Sequence, residues 1–407
     1  MALIVQKYGG TSVADAERIR NVARRIIRTR EAGHEVVVVV SARGDTTDEL
    51  YRLAYEISPD PPKRELDMLV ATGEQESIAL VAMAIHAAGY DAVSFNAAQV
   101  GIYTDDVHQK ASIKRISPHR IQRELAQGRI VIVAGFQGID ADDNITTLGR
   151  GGSNTSAVAI AAVLKADVCE NYTDVDGVYT TDPRIVPEAR KLDTISYDEM
   201  LELASLGAQV LQSRSLEFAK KYRVPIHVRS SFSDAPGTII CEEVQEMEEV
   251  VVRGVAIAKD EAKITLQGVP DVPGVAAKIC TAMARRNIII DMIIQNATLT
   301  GKTDFTFTVL ETDFNDALEA VEELKEKLGA ADVISDKSIA KVSVVGVGMR
   351  SHTGVAETMF TALAEAGINI QMISTSEIKI SVVVDESSGE EAVRVIHKAF
   401  RLHEVGK

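Results

Sequence analysis

The sequence predicts a three-layer α/β domain with a mostly parallel central sheet, followed by two small α+β units built on one pattern. Three observations carry this. Continuous β-branched runs alternate with helix-period segments over the first 240 residues, as expected of strands buried on both faces. The composition then shifts at "CEEVQEMEEV", 241–250, where six of ten residues are Glu or Gln. Beyond it the chain repeats itself, with "IIIDMI" and "INIQMI" falling 80 residues apart. A chain of 407 residues also exceeds one ordinary core, so two or three domains are expected.

In order along residues 1–240, "ALIV" opens the sheet, a charged helix follows around 16–31, and "VVVVV" at 36–40 is the next strand. Residues 61–89 are mainly helical and end on Gly89. "IVIVAG" at 130–135, a strand around 166–172 and "PIHVRSS" at 225–231 continue the sheet. Residues 241–261 read as a linker with a first strand. Units at 262–339 and 340–407 then begin "AKITLQGVPDVPGVAAKICTAMARRNIIIDMI" and "AKVSVVGVGMRSHTGVAETMFTALAEAGINIQMI". Each runs from a strand through a Gly-containing loop into a helix and strand. Each then adds an alternating strand ("DFTFTVL", "IKISVVV") and a helix ("DALEAVEELKEKL", "GEEAVRVIHKAF"). That is βαββα with room for a closing strand, the ferredoxin-like pattern. Units this small hide a sheet face poorly, so pairing between them or with another subunit is expected.

A net charge of −15, from 44 basic and 59 acidic residues, argues against general nucleic-acid or anionic-membrane binding. Any anionic substrate must be drawn by local charge. Apolar content of 46% and charged content of 25% describe a soluble globular protein. Cys169, Cys241 and Cys280 stand in no metal-ligand spacing, and each reads as a small buried hydrophobe in a reducing, cytoplasmic compartment. The start "MALIVQKYGG" has too short an apolar run for a signal peptide, and no run approaches the ~18 apolar residues of a membrane span.

Two stretches have the composition of anion-binding turns. "VQKYGGTSV", 5–13, ends a strand with Lys7 and turns through Gly9 and Gly10 into Thr11 and Ser12. Glycines let backbone N–H groups approach a phosphate, and hydroxyls at a helix start add donors. "LGRGGSNTS", 148–156, leads from Arg150 through Gly151 and Gly152 into an apolar helix, whose unpaired N–H groups suit an anion. Arg150 can hold a carboxylate bidentately. Each stretch alone is also compatible with a structural turn beside a solvated cation. "YTDVDGVYTTDPRIVPEA", 172–189, carries Asp174, Asp176 and Asp182 without calcium-loop spacing and reads better as a nucleotide loop with Arg184 for phosphate. In "ATGEQES", Glu74 either receives an ammonium group or is a favourable acid at a helix start. His86, His108, His227 and His352 form no metal pattern and no catalytic dyad.

The stretches "KYGGTS", "SARGDTTDEL", "TGEQES", "AGFQG", "TTLGRGGSNTSAVA", "YTDVDGVYTTDPR" and "LGAQVLQSRSLEFA", in this order, resemble aspartokinases of the amino-acid kinase superfamily. The repeats after 250 resemble the paired ACT domains attached to them. The resemblance implies a three-layer amino-acid-kinase catalytic domain and two ferredoxin-like, ACT-type regulatory domains. It further implies transfer of the ATP γ-phosphoryl group to the side-chain carboxylate of L-aspartate, the first step toward lysine, threonine and methionine. That carboxylate is already ionised near pH 7, so the site must supply alignment and relief of repulsion rather than a base. On this resemblance Lys7 neutralises the phosphoryl group while Gly9, Gly10, Thr11 and Ser12 cradle it. Arg150 clamps a substrate carboxylate, Glu74 takes the α-ammonium, and Ser41, Thr47, Gly151, Gly152 and Ser153 complete the substrate site. Thr173, Asp174, Tyr179, Pro183, Arg184 and Gln209 line the nucleotide pocket. Mg²⁺ sits mainly on the phosphates, so no protein metal cage is expected.

The same resemblance implies amino-acid effectors, lysine or threonine or both, at the ACT-like units. The candidates are Asp271, Pro273, Gly274, Asp291, Gln295 and Asn296 in the first. In the second they are Thr353, Gly354, Val355, Asn369, Ile370, Ser374, Thr375, Ser376 and Glu377. The pair could instead only join subunits, as a homo-oligomer or with a regulatory subunit made from a second start near Met247. Three positions depart from the family pattern: Asn154 where an Asp helps organise Lys7 and the metal, Gln209 where a Lys contacts nucleotide, and Arg43 where an apolar residue adjoins the substrate loop. Asn154 keeps an acceptor and a donor, and the loss of one acid and one cation partly cancels in charge. These departures motivate an alternative, a catalytically impaired amino-acid sensor or regulatory partner. Another amino-acid kinase, for glutamate or acetylglutamate, is disfavoured by "KYGGTS" and by the ACT-like pair.

Overall fold

The valine-rich runs form the centre of an eight-stranded sheet. The computed structural model describes residues 1–205, 211–242, 251–296, 301–350 and 352–404, so Gln209 and Met247 lie outside the described residues. The chain divides into two units. One comprises Met1–Val178 with Lys191–Gln245, and the other Tyr179–Arg190 with Glu246–Lys407.

In the first unit the strands are β1 (Leu3–Tyr8), β2 (Glu35–Val40), β3 (Ala92–Phe95), β4 (Ile102–Thr104), β5 (Ile113–Ile116), β6 (Ile130–Ala134), β7 (Gln137–Ile139), β8 (Ile145–Thr147), β9 (Val168–Thr173), β10 (Thr194–Ser196), β11 (Ile226–Ser230) and β12 (Thr238–Cys241). The main sheet runs β10-β12-β11-β9-β1-β2-β6-β3, parallel except where β11 meets β12. This is the mostly parallel sheet expected. A second sheet, β5-β4-β7-β8, stands beside it and was not read from the sequence, because its strands are three or four residues long.

Alternation along β1 and β2 sends side chains to opposite faces. Tyr8, Val36, Val38 and Val40 pack with Ile26 of α1 (Ala16–Glu31) and with Val81 and Ile85, while Val5, Lys7, Val37 and Val39 face the other way. Three helices follow β2: α2 (Thr46–Ile57), α3 (Lys63–Val70) and α4 (Thr72–Ala87), which carries Val81 and Ile85. The stretch Lys63–Ala87 has the length and apolarity of a membrane span. It is not a continuous apolar run, since Lys63, Arg64, Glu65, Asp67, Glu74 and Glu76 interrupt it. Its Val70, Ile78, Val81 and Ile85 are buried in this unit, with Glu74 in its middle. Beyond it lie α5 (Ala97–Val100), α6 (His119–Ala126), α7 (Gly152–Leu164), α8 (Tyr197–Ser205) and α9 (Ser213–Tyr222).

The second unit holds β13 (Gly254–Ala258), β14 (Glu261–Pro270), α10 (Val275–Arg285), β15 (Ile290–Gln295), β16 (Lys302–Leu310), α11 (Phe314–Leu328), β17 (Asp332–Asp336), β18 (Ile339–Val345), α12 (Val355–Glu365), β19 (Met372–Thr375), β20 (Lys379–Asp385) and α13 (Gly389–Ala399). Both repeats are βαββα, but they close differently. β17 closes the first sheet as β15-β16-β14-β17, whereas the second is closed by β13, giving β13-β18-β20-β19. The strand in the 241–261 linker therefore completes the second repeat rather than leading the first.

This unit also takes the segment Tyr179–Arg190 out of the run 1–240. Val186 is buried among Val342, Val382 and Ile396, and the Val255 N–H donates to the Thr180 carbonyl at 2.7 Å. The Thr180 hydroxyl accepts from the Arg190 N–H at 3.0 Å and meets His397 Nε2 at 2.9 Å. Burial lowers His397 to about 4, so the ring is neutral at pH 7 and serves as a hydrogen-bonding anchor.

The repeats are joined by a buried ion cluster. Lys341 on β18, 3% exposed, meets Glu261 of β14 and lies 2.6 Å from Asp291 of β15. Burial works against its charge, yet the two carboxylates hold it above the usual lysine range. Removing the one cation leaves Glu261 buried and uncompensated. Lys341→Met is expected to cost about 3 kcal/mol in chemical denaturation, and Glu261→Gln in the same chain should recover part of it. Two variants both as stable as the parent chain would show the cluster to be inert.

Candidate active site

The functional candidates gather at the carboxyl ends of β1, β2 and β6, where open α/β sheets present ligands. The strand ends are tied in sequence. The Ser41 N–H donates to the Tyr8 carbonyl at 3.1 Å, and the Gly135 N–H to the Val40 carbonyl at 3.0 Å. The start of α7 is seated on Gly135. A Cβ there would lie 2.7 Å from Ser153 Oγ and 2.8 Å from Ser153 Cβ, so only glycine lets the helix approach.

Lys7 sits near the end of β1, in register with Val39 of β2 and Asn171 of β9. It is 9% exposed, and a Cβ placed on Gly9 would lie 3.5 Å from its Nζ, so the amine folds back beside the glycine turn. Burial lowers Lys7 to about 8, and the negative charge of Asp174 opposes that shift. Cys169, also buried, is pushed up to about 12 by desolvation and stays a neutral thiol, as its structural reading requires. The turn after Lys7 is one 3₁₀ turn, Gly10–Val13, and α1 begins only at Ala16, capped by the Asp15 carboxylate accepting from the Arg18 N–H. Ser12 is buried, with its hydroxyl 2.6 Å from that of Ser231, while Thr11 is exposed.

Glu74 lies in the first turn of α4 and is 3% exposed. Its Oε1 accepts from the Ala42 N–H at 2.9 Å, and its Oε2 is buried with no protein partner. Burial raises Glu74 to about 7 against the pull of that N–H. A Cβ on Gly73 would stand 2.7 Å from Ala42 Cβ, so glycine is what allows α4 to press against the 41–44 loop. Ser41 is half-buried in that loop and Thr47 is in the first turn of α2. Arg43 turns elsewhere: it pairs with Glu76 at 3.0 Å and donates to the Ala14 carbonyl at 3.0 Å, fastening the loop to its neighbours.

At the second glycine turn Gly151 has φ 70° and caps α7, and Arg150 is exposed. Gly152 and Ser153 are buried, and Asn154 Oδ1 is a buried acceptor with no partner. Among the described residues no cluster of His, Cys, Asp or Glu could hold a metal ion. Reading the sequence missed two features. Asn171, 3% exposed, lies beside Lys7 with both amide atoms unpartnered, and its one signal was an amide inside the strand "VCENYT". Asp67, fully buried, accepts from His108 Nδ1 at 2.6 Å and from Thr147 Oγ1 and Gln109 Nε2 at 2.5 Å each. A His–Asp pair therefore exists where none was expected, and its carboxylate is spent on holding the strand that leads to Arg150.

The amino acid kinase family matches residues 2–230, and the ACT domain matches 264–329 and 342–400. Aspartate kinase Ask_LysC of Stutzerimonas stutzeri is 56% identical over 403 residues, covering 99% of this chain and 98% of the relative. The chain belongs to the aspartokinase family. Among solved structures, E. coli aspartokinase III in complex with aspartate and ADP is 26% identical with a TM-score of 0.82, over 98% of this chain and 99% of that one. The same enzyme in complex with lysine and aspartate gives a TM-score of 0.78 at 26% identity, over 98% and 99%. Full-length similarity to aspartokinases does not favour the impaired-sensor alternative.

The remaining family positions are distributed over both units. Thr173 and Asp174 belong to the first, where the Thr173 hydroxyl donates to the Asp174 carboxylate at 3.0 Å. Tyr179, Pro183 and Arg184 belong to the second, and Arg184 pairs with Asp182 at 2.7 Å. In the ACT domains Gly274 and Gly354 occupy equivalent left-handed caps, φ 99° and 97°, at the starts of α10 and α12. Asp271 and Pro273 precede the first cap, and Thr353 the second, with Val355 opening α12. Asp291 is held by Lys341, and Gln295 ends β15, next to Asn296. Asn369 and Ile370 precede β19, Ser374 and Thr375 end it, and Ser376 donates its N–H to the Lys379 carbonyl at 2.8 Å ahead of Glu377.

Proposed function

We infer that this chain transfers the γ-phosphoryl group of ATP to the side-chain carboxylate of L-aspartate, giving 4-phospho-L-aspartate. The observation that carries the reading is a pair of buried ionisable groups at the strand ends, Lys7 beside the first glycine turn and Glu74 with one carboxylate oxygen unpartnered. Lys7 is held near 8 and Glu74 near 7, each by desolvation. A bound phosphate restores the lysine's charge, and a bound α-ammonium restores the carboxylate's. Lys7 then draws charge from the phosphoryl group as it moves, with the backbone at Gly9 and Gly10 alongside it. Glu74 and Arg150 hold the α-carbon end of aspartate, Glu74 on the ammonium and Arg150 on the α-carboxylate, assisted by Ser41 and Thr47, which leaves the side-chain carboxylate to attack. No general base is needed, because the attacking oxygen is already anionic. Thr173 and Asp174 border the nucleotide on Lys7's side.

The free oxygen of Asn154 is a hard donor of the kind Mg²⁺ accepts, so the residues present suit a cation carried in on ATP, which would neutralise phosphate charge there. The caps at Gly274 and Gly354 and the strands after them are read as sites for lysine or threonine. Exposed Ile293 and Ile373 on the ACT sheets are read as surfaces for homo-oligomerisation. ATP, Mg²⁺, aspartate and hydroxylamine together are expected to yield aspartyl hydroxamate. Product no greater than in the aspartate-free blank would refute the activity, and the same assay with lysine and threonine reads the regulation.

A further inference from the structure

The turn that carries Arg150 is held from outside by the start of another helix. Gln212 stands immediately before α9 and reaches back across Gly151. A Cβ built on Gly151 would lie 2.8 Å from each of Gln212 Cβ, Cδ and Oε1, so the glutamine lies flat on that glycine. Its Nε2 donates to the Arg150 carbonyl, and its Oε1 accepts from the Thr155 hydroxyl at 3.3 Å. Two residues further on, Arg214 donates to the Leu148 carbonyl at 3.2 Å and to the Ala111 carbonyl at 2.7 Å. The carbonyls on both sides of Gly149 are thus fastened to one helix start.

These bonds act on the backbone of Arg150 and leave its guanidinium exposed. Fixing the Arg150 carbonyl fixes the peptide plane into Gly151, which is itself covered by the Gln212 side chain. Together they set the direction in which the Arg150 side chain leaves the chain. An arginine fork recognises a carboxylate only in a narrow geometry, so the orientation of its root sets how much order must be gained on binding.

We propose that Gln212, with Arg214, is a positioning residue for aspartate, locking the 148–151 turn so that Arg150 meets the substrate carboxylate. This rests on the reading of Arg150 as the carboxylate clamp. Gln212 acts through Arg150, whose carbonyl it holds.

Gln212→Met keeps the length and the packing over Gly151 and removes both hydrogen bonds. It is expected to raise KM for aspartate about ten-fold while KM for ATP stays within about two-fold, since misplacing a binding group costs the ligand it orients. Gln212→Glu keeps the acceptor for Thr155, loses the donor to the Arg150 carbonyl, and should behave like the methionine variant. Arg150→Ala is measured beside them. If it raises KM for aspartate and Gln212→Met does not, the positioning role is overturned while the clamp stands. If Arg150→Ala leaves KM for aspartate unchanged, the clamp reading itself fails. An equal rise in both KM values with a lower Tm would make Gln212 a packing residue only and would also overturn the proposal.

Discussion

Lys7→Met is expected to lower kcat by about 10³-fold, a loss of about 4 kcal/mol of transition-state stabilisation, while raising the Tm of the ligand-free protein at pH 7. The two effects have one cause. Burial lowers Lys7 to about 8 from 10.5, so the fold holds a poorly compensated ammonium at neutral pH in readiness for phosphate. The unfolded chain binds the proton more tightly between those values, so the cost to stability is fully present below about pH 8 and is relieved as pH rises toward 10.5. Methionine fills the same space without charge and removes a penalty on the order of 3 kcal/mol. Steady-state kinetics and calorimetry on one preparation decide the matter. A variant that is both active and no more stable than the parent would remove Lys7 from the reaction.

The second large effect is expected from Glu74→Gln: a rise of about 10²-fold in KM for aspartate, through loss of a charge-assisted contact to the ammonium. The pH profile carries the sharper test. Burial raises Glu74 to about 7, so the free enzyme must lose that proton before it binds an ammonium group. It must also retain the Lys7 proton, lost near 8. The kcat/KM for aspartate should therefore follow a narrow bell between these values, rising through about 7 and falling through about 8. Glu74→Gln should abolish the rising limb only. Stability should move oppositely to an ordinary acid. The fold binds the proton more tightly than the unfolded chain does, so its cost appears as pH rises from 4.5 to about 7 and is complete above that. The glutamine variant should accordingly be the more stable at pH 8 and not at pH 5. A flat profile from pH 6 to 9 would dissociate both residues from substrate binding.

Much of this site is written in local chemistry. Glycine pairs after apolar runs at 9–10 and 151–152 can be recognised without a structure, because the turn and its N–H groups are properties of a few consecutive residues. The alternation in the ACT repeats is equally local. Asn171 was not legible, since nothing in "VCENYT" says that its neighbour in the sheet is Lys7. Arg43 looked like an intruder in the substrate loop, yet the structure turns it onto Glu76 and Ala14. Gln212 was hidden for the same reason, because its partners Arg150 and Thr155 come from the other glycine turn.

Residue order thus determined the parallel sheet, the two glycine turns and the two βαββα repeats, which follow from periodicity and short motifs, while the reaction class and the ACT assignment came from the resemblance of those stretches to aspartokinases. Tertiary structure alone decided three things. It set the charge states of Lys7 and Glu74, which depend on burial by segments distant in sequence. It made β13 the closing strand of the second repeat, a choice between sheet edges that share the same hydrogen-bonding groups. It drew Tyr179–Arg190 into the second unit, where Val186 finds an apolar core that no local pattern could identify. Burial and edge pairing are properties of the assembled chain, and no short stretch of sequence contains them.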